Sequence, residues 1–488
     1  MKPCQKEIAK FFLESHLKFE ALCNHLTDQQ TLTHSEIEDY LWVEGRELLR
    51  QMQQNCLELR SAQEETLEKV IGPDQVVRKA NRHHSRELTT LFGKVKIKRK
   101  AYSAPGFRSL YPLDKTLNLP KCKYSYGIQA FLCSESGLRS FDETLREMAS
   151  VVGGHVPKRQ AEQVVASASQ DFEKYYAQAI AIETKASILV ISLDGKGIVM
   201  RPEDLNSEQY HKKMATVSTV YCIAPFVRTP TEIVSSLHPG KTKQKEPEPR
   251  PKPQGKKVWA SLESSVEQVV AHCFREAQKI DPERNKHRVA LVDGNLTQQR
   301  CLKREAKRQG VSLTIILDFI HVSEYVWTSA KALNVEHLDV WVQDKLLKIL
   351  QGQSSLVAAA IRRRATCQRL SGPARKEADN CANYLLNQKA YMKYDQYLRQ
   401  GFPIATGVIE GACRYLVKDR MDRTGARWRI TGAEAVLKMR ALKCNEDFQA
   451  YWAFHQAQAF ERNYADINVF PKRRRLLLNN DYEMDYAS

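Results

Sequence analysis

Three apolar stretches of this chain each end in an aspartate, and a later helical stretch begins with a glutamate. Asp194 follows SILVISL, Asp293 follows HRVALV, Asp318 follows VSLTIIL, and Glu410 lies near the start of GVIEGACRYLVKDRMDRTGARW. Apolar runs of this length are typical of strands buried on both faces. Ligands gather at the carboxyl ends of such strands in α/β sheets, so we expect the aspartates at one sheet edge.

Carboxylates at one edge repel one another unless a cation lies between them. Mg²⁺ prefers carboxylate oxygens, and a pair of Mg²⁺ ions activates an attacking water or 3′-hydroxyl and stabilises the leaving oxygen of a phosphodiester. We therefore predict that Asp194, Asp293 and Glu410 bind two Mg²⁺ ions, with Mn²⁺ as a substitute. Asp318 is a rival to Asp293 as the second ligand, because both residues end apolar strands.

The glutamate has a second interpretation. Arg414 and Lys418 follow Glu410 at helical spacing of four residues, so the three side chains share one stripe. Either the stripe is a metal ligand followed by cations aimed at DNA, or Glu410 forms an exposed ion pair with Arg414 worth about 0.3–0.5 kcal/mol. The helix alone does not separate the two interpretations, and the strand-end aspartates favour the metal.

Composition indicates the partner. The chain has 488 residues, enough for three or four domains, and a net charge of +18, which favours a polyanion such as nucleic acid. Binding to a ribosome or a membrane surface is the alternative. The 12 cysteines include no CxxC pair, which indicates neither a zinc ribbon nor a disulfide framework but a reducing compartment. No run of about 18 apolar residues occurs, so we expect no membrane partner and a cytoplasmic, nucleoid-associated protein.

Two elements before the first aspartate are candidates for DNA contact. Lys94, Lys96 and Lys98 alternate with apolar residues, which predicts a half-buried strand of a basic hairpin; a solvated lysine face is the bland alternative. A helix over 142–151 is predicted to stop at a Gly-Gly pair, and a second helix starts near Pro157 with Lys158 and Arg159 in its first turn. This pattern is helix-turn-helix-like, although such corners also occur in proteins that never touch DNA.

The strand pattern can be extended through the middle of the chain. KMATVSTVYCIAPF and TEIVSSLHP predict two further β-rich stretches, which gives the order β-β-β-α-β-α-β followed by helices. The Lys- and Pro-rich residues 240–257 predict an exposed loop.

LDGKG, LVDGN, DFIHVSEYVW and above all the Glu410 stretch resemble the ISKra-type insertion-sequence transposases of the Mutator-like group of DDE enzymes. The resemblance covers nearly the whole chain. It implies an α/β fold with an RNase H-like catalytic core and a mainly helical insertion between the second aspartate and the glutamate. The family's triad falls on Asp194, Asp293 and Glu410, and its aspartate-x-x-histidine element falls on Asp318 and His321, which would orient the site. A local hydrogen bond is the alternative for His321.

The resemblance also implies the activity and the partners. Such an enzyme binds double-stranded DNA at the terminal inverted repeats of its element, cleaves a strand, and directs the freed 3′-hydroxyl at target DNA, acting as a homo-oligomer. Arg423, Arg427 and Trp428 are candidates for clamping and stacking on DNA, with burial of Trp428 as the alternative. Two other functions remain open: an RNase H-like nuclease without strand transfer, and a non-catalytic DNA-binding protein with structural carboxylates.

We expect six regions along the chain. They are an N-terminal helical region with the basic hairpin (1–123), a helix-turn-helix-like DNA-binding region (124–185), the first part of the catalytic core (186–330), a helical insertion (331–405), the returning core helices (406–460) and a basic C-terminal tail (461–488). The basic runs 362–364 and 472–475 would add salt-dependent affinity for DNA.

Overall fold

The computed structural model describes residues 9–180, 183–205, 211–237 and 249–471 of the chain. It is a mixed α/β structure, so the predicted class is confirmed at this level. The chain forms two compact units. The first comprises the chain up to Ser136, Phe141–Asp171 and the chain from Gln449 onward, and the second comprises Gly137–Ser140 and Phe172–Phe448. The basic run 472–475 and residues 240–248 of the predicted loop lie outside the described residues.

The first unit opens with a helical hairpin of α1 (Leu13–Asp28) and α2 (His34–Ala62). A capping box starts α2: the Thr33 side chain accepts from the Glu36 amide, and the Glu36 carboxylate accepts from the Thr33 amide. An antiparallel sheet follows in the order β3-β2-β1-β9. Its strands are β1 (Leu67–Ile71), β2 (Val77–Thr90), β3 (Gly93–Ser103) and β9 (Asn468–Pro471).

The predicted alternation of the basic strand is confirmed. Val95 and Ile97 of β3 are buried, whereas Lys94, Lys96 and Lys98 are exposed. This is the period-2 pattern of a strand with one face on the core.

The remaining helices of the first unit include the predicted two-helix corner. They are α3 (Pro112–Thr116), α4 (Tyr126–Ser136), α5 (Phe141–Val151) and α6 (Lys158–Ala168). The Gly-Gly pair between α5 and α6 approaches the hairpin closely, because a Cβ at Gly153 would lie 2.7 Å from the Phe92 carbonyl oxygen and one at Gly154 would lie 2.5 Å from Thr89. The corner therefore packs directly on the turn of the basic hairpin.

The second unit is built on a five-stranded sheet in the order β6-β5-β4-β7-β8. The neighbours β4, β5 and β6 are antiparallel, whereas β4–β7 and β7–β8 are parallel. The strands are β4 (Ile188–Val199), β5 (Lys212–Ile223), β6 (Gln254–Ser261), β7 (His287–Val292) and β8 (Thr314–Leu317). Two crossover helices, α9 (Val266–Ile280) and α10 (Leu296–Gln309), make the parallel connections.

Two predictions about this sheet were wrong. TEIVSSLHP is not β-rich: residues Pro230–Ser236 form a helix, α8, because Thr229 and Glu232 make a capping box and Pro230 occupies the first turn. The third strand is β6, which starts inside the predicted loop 240–257. Its consecutive residues Val258, Trp259 and Ala260 are buried, so this end of the strand is covered on both faces.

Helices complete the second unit. They are α7 (Phe172–Gln178), α11 (Phe319–Ala332), α12 (Leu338–Leu350), α13 (Ser354–Cys367), α14 (Gly372–Asn387), α15 (Tyr394–Arg399), α16 (Gly407–Ala412), α17 (Asp419–Met421) and α18 (Ile430–Cys444). The helix α19 (Phe448–Tyr464) leads back to the first unit, so residues 461–471 of the predicted tail are largely helix and strand. Residues of α11–α15 share one buried core with β4, β7 and β8. Among the described residues, no helix is long and apolar enough to cross a membrane.

Candidate active site

The parallel pairing of β4 and β7 brings Asp194 and Asp293 into one row. The parallel pairing of these strands ends at Ser192 and Leu291, and each aspartate follows its paired residue by two positions. Because neighbouring strands lie about 4.7–4.9 Å apart, the two carboxylates start from adjacent backbone positions. The expectation that Asp194 ends its strand was wrong, since β4 continues to Val199 along β5.

The third aspartate continues the row on β8. Val292 pairs with Leu317, and Asp293 and Asp318 are the next residues on the two strands. The Asp318 carboxylate then caps α11 by accepting from the Ile320 amide at 3.1 Å. A short polar side chain at this position satisfies a free amide of the first helical turn.

Asp318 is buried and its two oxygens are both engaged. Oδ1 also accepts from the Thr406 amide at 3.2 Å, and Oδ2 accepts from the Thr406 hydroxyl at 2.7 Å. Burial raises the pKa of Asp318, and these hydrogen bonds oppose that rise. The contacts tie the end of β8 to the residue four positions before Glu410, so Asp318 holds the site together instead of presenting a free carboxylate.

Glu410 lies on α16, which packs against β4 and β5. Its side chain is exposed, and its Oε1 atom lies 3.1 Å from the Thr406 hydroxyl. A hydroxyl carries one proton, so Thr406 donates to Asp318 or to Glu410 at any moment. This one hydroxyl links the glutamate to the row of aspartates.

The ion-pair interpretation of Glu410 was wrong. Arg414 instead lies 3.9 Å from the Asp419 carboxylate, and within the described residues no ion pair joins it to Glu410. The reason is local: Cys413–Lys418 is a π-helical segment with i→i+5 hydrogen bonds, which breaks the four-residue stripe.

Asp194 is half-buried and accepts two hydrogen bonds. Oδ1 accepts from the Gly195 amide at 2.6 Å, and Oδ2 accepts from the Cys413 thiol at 3.1 Å. Burial and the neighbouring Asp194 charge raise the pKa of Cys413, so the sulfur stays protonated and remains a donor. The Glu410 charge also raises the pKa of this thiol, whereas the Lys196 charge lowers it.

Asp293 opens a tight turn. Its Oδ1 atom accepts from the Asn295 amide at 2.9 Å, and its carbonyl accepts from the Tyr384 hydroxyl at 3.0 Å. Gly294 has a φ of +102°, and a Cβ there would lie 3.0 Å from that hydroxyl. Glycine at this position therefore allows the helical region to approach the end of β7.

His321 makes a local contact, which agrees in part with the alternative prediction of a local hydrogen bond. Its Nδ1 atom lies 3.3 Å from the Glu324 carboxylate, and its ring lies beside Tyr325 and Tyr384. The partner is thus the following turn of α11, whereas Asp318 is contacted by backbone amides and Thr406.

Carboxylate oxygens at the ends of parallel strands are suitable donors for Mg²⁺. The arrangement is nevertheless not a closed cage: among the described residues, no three acidic, histidine or cysteine side chains are grouped closely enough to hold a metal ion. The acceptors Asp194 and Glu410 are instead directed to Cys413 and Thr406. The carboxylates are the right type of ligand for Mg²⁺. In this structure, however, Asp194 and Glu410 are hydrogen-bonded to Cys413 and Thr406 and are not grouped as a metal site.

The candidate DNA contacts of the first unit lie at the start of α6. Lys158 and Arg159 are both exposed, and the Lys158 ammonium lies 2.7 Å from the Asp142 carboxylate of α5. Exposed pairs of this kind are worth little and exchange readily for another anion.

The candidates of the second unit differ in exposure. Arg414, Lys418 and Arg427 are exposed, and Arg423 is exposed while donating to the Leu138 carbonyl at 3.3 Å. Trp428, by contrast, is only 8% exposed.

The prediction that Trp428 stacks on DNA was therefore wrong. Its indole donates to the Met421 carbonyl at 2.9 Å and its ring lies under the Arg420 guanidinium, while its backbone pairs with the end of β4. The alternative interpretation, burial of Trp428 against the sheet, is confirmed.

Three residues of the site were missed from the sequence: Thr406, Cys413 and Tyr384. Cys413 follows Glu410 by three residues, a helical spacing that could have indicated it. Thr406 and Tyr384 have no such signal, because their contacts come from tertiary packing. Neither a known protein-family model nor a curated protein matches this chain.

Proposed function

We propose that the protein is a DDE-type transposase of an insertion sequence. It would bind the terminal inverted repeats of its element, cleave DNA there and transfer the 3′-hydroxyl to target DNA. The observation that carries the proposal is the row of Asp194 and Asp293 on adjacent parallel strands, with Glu410 connected to that row through Thr406 and Asp318.

The sheet supports an RNase H-like core for this proposal. Three antiparallel strands are followed by two parallel strands with helical crossovers, and the helices of 331–405 come between the second aspartate and the glutamate. The resemblance to ISKra-type transposases implies this order of parts.

In this proposal Asp194, Asp293 and Glu410 hold Mg²⁺. When bound, such ions activate the attacking oxygen and stabilise the leaving one. Binding requires Asp194 to exchange the Cys413 thiol and Glu410 to exchange the Thr406 hydroxyl for the ions. Because Asp318 keeps its own three donors, the segment that carries Glu410 would stay anchored during this exchange.

Charge supports DNA as the substrate. The net charge is +18, and the first unit presents the exposed lysines of β3 together with Lys158 and Arg159 of the corner that packs on the same hairpin. Phosphate contacts by such residues position a protein on a duplex without reading its sequence. Recognition of the repeats is assigned to this unit.

The first prediction tests the site with labelled duplexes that cover the DNA on both sides of the gene encoding the chain. Wild-type protein with Mg²⁺ is expected to give nicked and joined products. Glu410→Gln, which removes one charge at nearly constant shape, is expected to bind equally and lower both products by about 100-fold or more. Glu336→Gln, at an exposed position in the insertion, is the matched control and keeps full activity.

The other outcomes separate the alternatives. Nicks without joined products, even from a pre-cleaved end, would favour the nuclease. Equal activity of Glu410→Gln and wild type would remove Glu410 from the site. A wild type that binds these duplexes without any Mg²⁺-dependent product would favour the non-catalytic DNA-binding protein.

A further inference from the structure

The residues after Asp194 form a strand where the sequence favours a turn. An Asp-Gly pair is typical of a turn, but β4 continues to Val199. Along this extension Asp194 lies opposite Val217 of β5, and Lys196 lies opposite Ala215. Lys196 is therefore held at a fixed position in the sheet, two residues from a proposed magnesium ligand.

Lys196 lies on the same face of the sheet as Asp194. Side chains alternate along a strand, so residues two apart share a face, with Cα atoms about 6.6 Å apart. Residues directly opposite each other in antiparallel strands also share a face. Lys213 of β5 lies opposite Ile198, which is two residues beyond Lys196. Lys213 is thus the diagonal neighbour of Lys196 on the Asp194 face, at a Cα distance of roughly 7–8 Å.

Lys196 and Lys213 are both half-buried. Neither ammonium forms an ion pair or donates a hydrogen bond anywhere in the described ranges of the chain. The Asp194 carboxylate shares their face, yet it accepts from the Cys413 thiol and the Gly195 amide. Within the described chain, the two ammonium groups are thus left without an anion.

Other half-buried lysines of the second unit show how such a side chain is normally compensated. Three of them form ion pairs at distances between 2.7 and 2.8 Å: Lys257 with Asp447, Lys279 with Glu276, and Lys345 with Asp344. Burying a charged group costs free energy unless a partner compensates it. Lys196 and Lys213 lack that partner, and as neighbours of like charge they also repel each other. The pair therefore suits an anion that the described chain does not supply.

The segment that packs on this face adds positive charge. Cys413–Lys418 contacts β4 beside Asp194, and its charged residues, Arg414 and Lys418, are both basic. The carboxylates of the site, Asp194 and Glu410, are the proposed ligands of Mg²⁺ and would be neutralised by it. The anion that compensates the two lysines must therefore come from outside, and a phosphodiester is the anion that the proposed reaction brings.

We propose that Lys196 and Lys213 together bind one phosphate of the DNA strand on which Asp194 acts, and so position that strand at the candidate site. The inference rests on the proposed function, because it takes the DNA backbone as the anion. The two lysines are positioning residues, since in this proposal they hold a phosphate that does not react.

The second prediction is measured as metal-free binding to the duplexes of the first prediction, pre-cleaved at the element end, with single phosphates replaced by neutral methylphosphonates. For wild type we expect one position near the cleaved end where the neutral linkage weakens binding at least about 10-fold. In the Lys196→Gln, Lys213→Gln protein the same linkage is expected to change the affinity less than about 2-fold, because the contact is already lost.

The chain offers a matched control next to the pair. Lys212 adjoins Lys213 in β5, but it is exposed and lies on the other face of the sheet. Lys212→Gln removes the same charge and is expected to keep the wild-type response to the neutral linkage. Lys196→Arg with Lys213→Arg keeps both charges and is expected to retain the response as well.

Melting temperatures separate this role from a structural one. Because the pair is uncompensated without DNA, replacing both lysines by glutamine is expected to leave the melting temperature unchanged or higher. A lower melting temperature overturns the proposal, since the lysines would then support the fold. So does a double glutamine variant that responds to the neutral linkage like wild type, a response that Lys212→Gln also abolishes, or a wild type that no single linkage weakens.

Failure of the proposed function is read separately. It would appear as a wild type that gives no joined products with Mg²⁺, whereas the methylphosphonate assay contains no metal and measures binding alone. A wild type that cleaves and joins DNA but shows no sensitive linkage would therefore remove the lysine pair and leave the activity in place.

Discussion

At the scale of single residues, Thr406 is the centre of the candidate site. Its amide and hydroxyl both donate to the buried Asp318, and its hydroxyl also lies within hydrogen-bond distance of Glu410. A buried carboxylate is tolerated only when donors satisfy it. Thr406 thus combines two tasks, satisfying Asp318 and fixing the start of the segment that carries Glu410.

The third prediction removes that hydroxyl. Thr406→Val keeps the shape and leaves Asp318 Oδ2 without its donor, so the free energy of unfolding is expected to fall by about 1–3 kcal/mol. Thr406→Ser retains the donor and is expected to lose less than Thr406→Val. Urea unfolding of the three proteins measures the difference, and equal stability of the Val and Ser variants would contradict the role given to the hydroxyl.

The site residues that could be predicted from the sequence are those next to the end of an apolar run, because such a run predicts a buried strand. Asp194, Asp293 and Asp318 were found because an apolar run stops before or beside each of them. The sequence could not predict which aspartate is buried and fully hydrogen-bonded, because two of the three donors to Asp318 come from Thr406, 88 residues away in sequence. The burial of Trp428 was likewise decided by its pairing with the end of β4.

At the scale of elements, the π-helical segment Cys413–Lys418 sets the directions of the side chains after Glu410. Arg440 of α18 is buried and donates to the carbonyls of Leu416, at 2.8 Å, and of Tyr415. A widened turn leaves carbonyls poorly paired within the helix, and the guanidinium satisfies two of them. Burial lowers the pKa of Arg440, and these acceptors offset the cost of burying its charge.

The fourth prediction concerns this support. Arg440→Lys keeps the charge but loses the planar fork, so it cannot reach the same carbonyls together. We expect a loss of about 2–3 kcal/mol in the free energy of unfolding and faster amide exchange over 413–418. Arg429→Lys, at the exposed residue before α18, is the control and changes neither quantity. Unaltered exchange in Arg440→Lys would show that the π-helical segment holds its shape without the guanidinium.

Elements with strong periodicity could be predicted, and those with conflicting signals could not. The alternating lysines of β3 and the long apolar runs of β4 and β7 gave their strands correctly. TEIVSS was mistaken for a strand because its β-branched residues outweighed the capping signal of Thr229 and Glu232. The start of β6 was hidden by the lysines and proline around it, because its apolar residues come only at its end.

At the scale of the whole molecule, the charge of +18 has no single location. Exposed cations occur in both units, at β3 and α6 in the first and around α16 in the second. Total charge alone gives any such chain some affinity for DNA. To identify a specific DNA-binding surface, one must therefore compare variants that lose the same number of charges at different places on the molecule.

The fifth prediction makes that comparison. The affinity for a duplex of unrelated sequence falls with salt, and each phosphate contact contributes about 0.9 to the slope of log K against log salt concentration. If the lysine face of β3 lies on DNA, replacing Lys94, Lys96 and Lys98 by alanine lowers the magnitude of that slope by about 2–3. Replacing Lys331, Arg363 and Lys376 by alanine removes the same charge from exposed positions of the helices in 331–405 and is expected to leave the slope nearly unchanged. Equal slopes for the two triple variants would mean that net charge, and not the hairpin, governs binding, and the β3 face would then be only the solvated side of a strand.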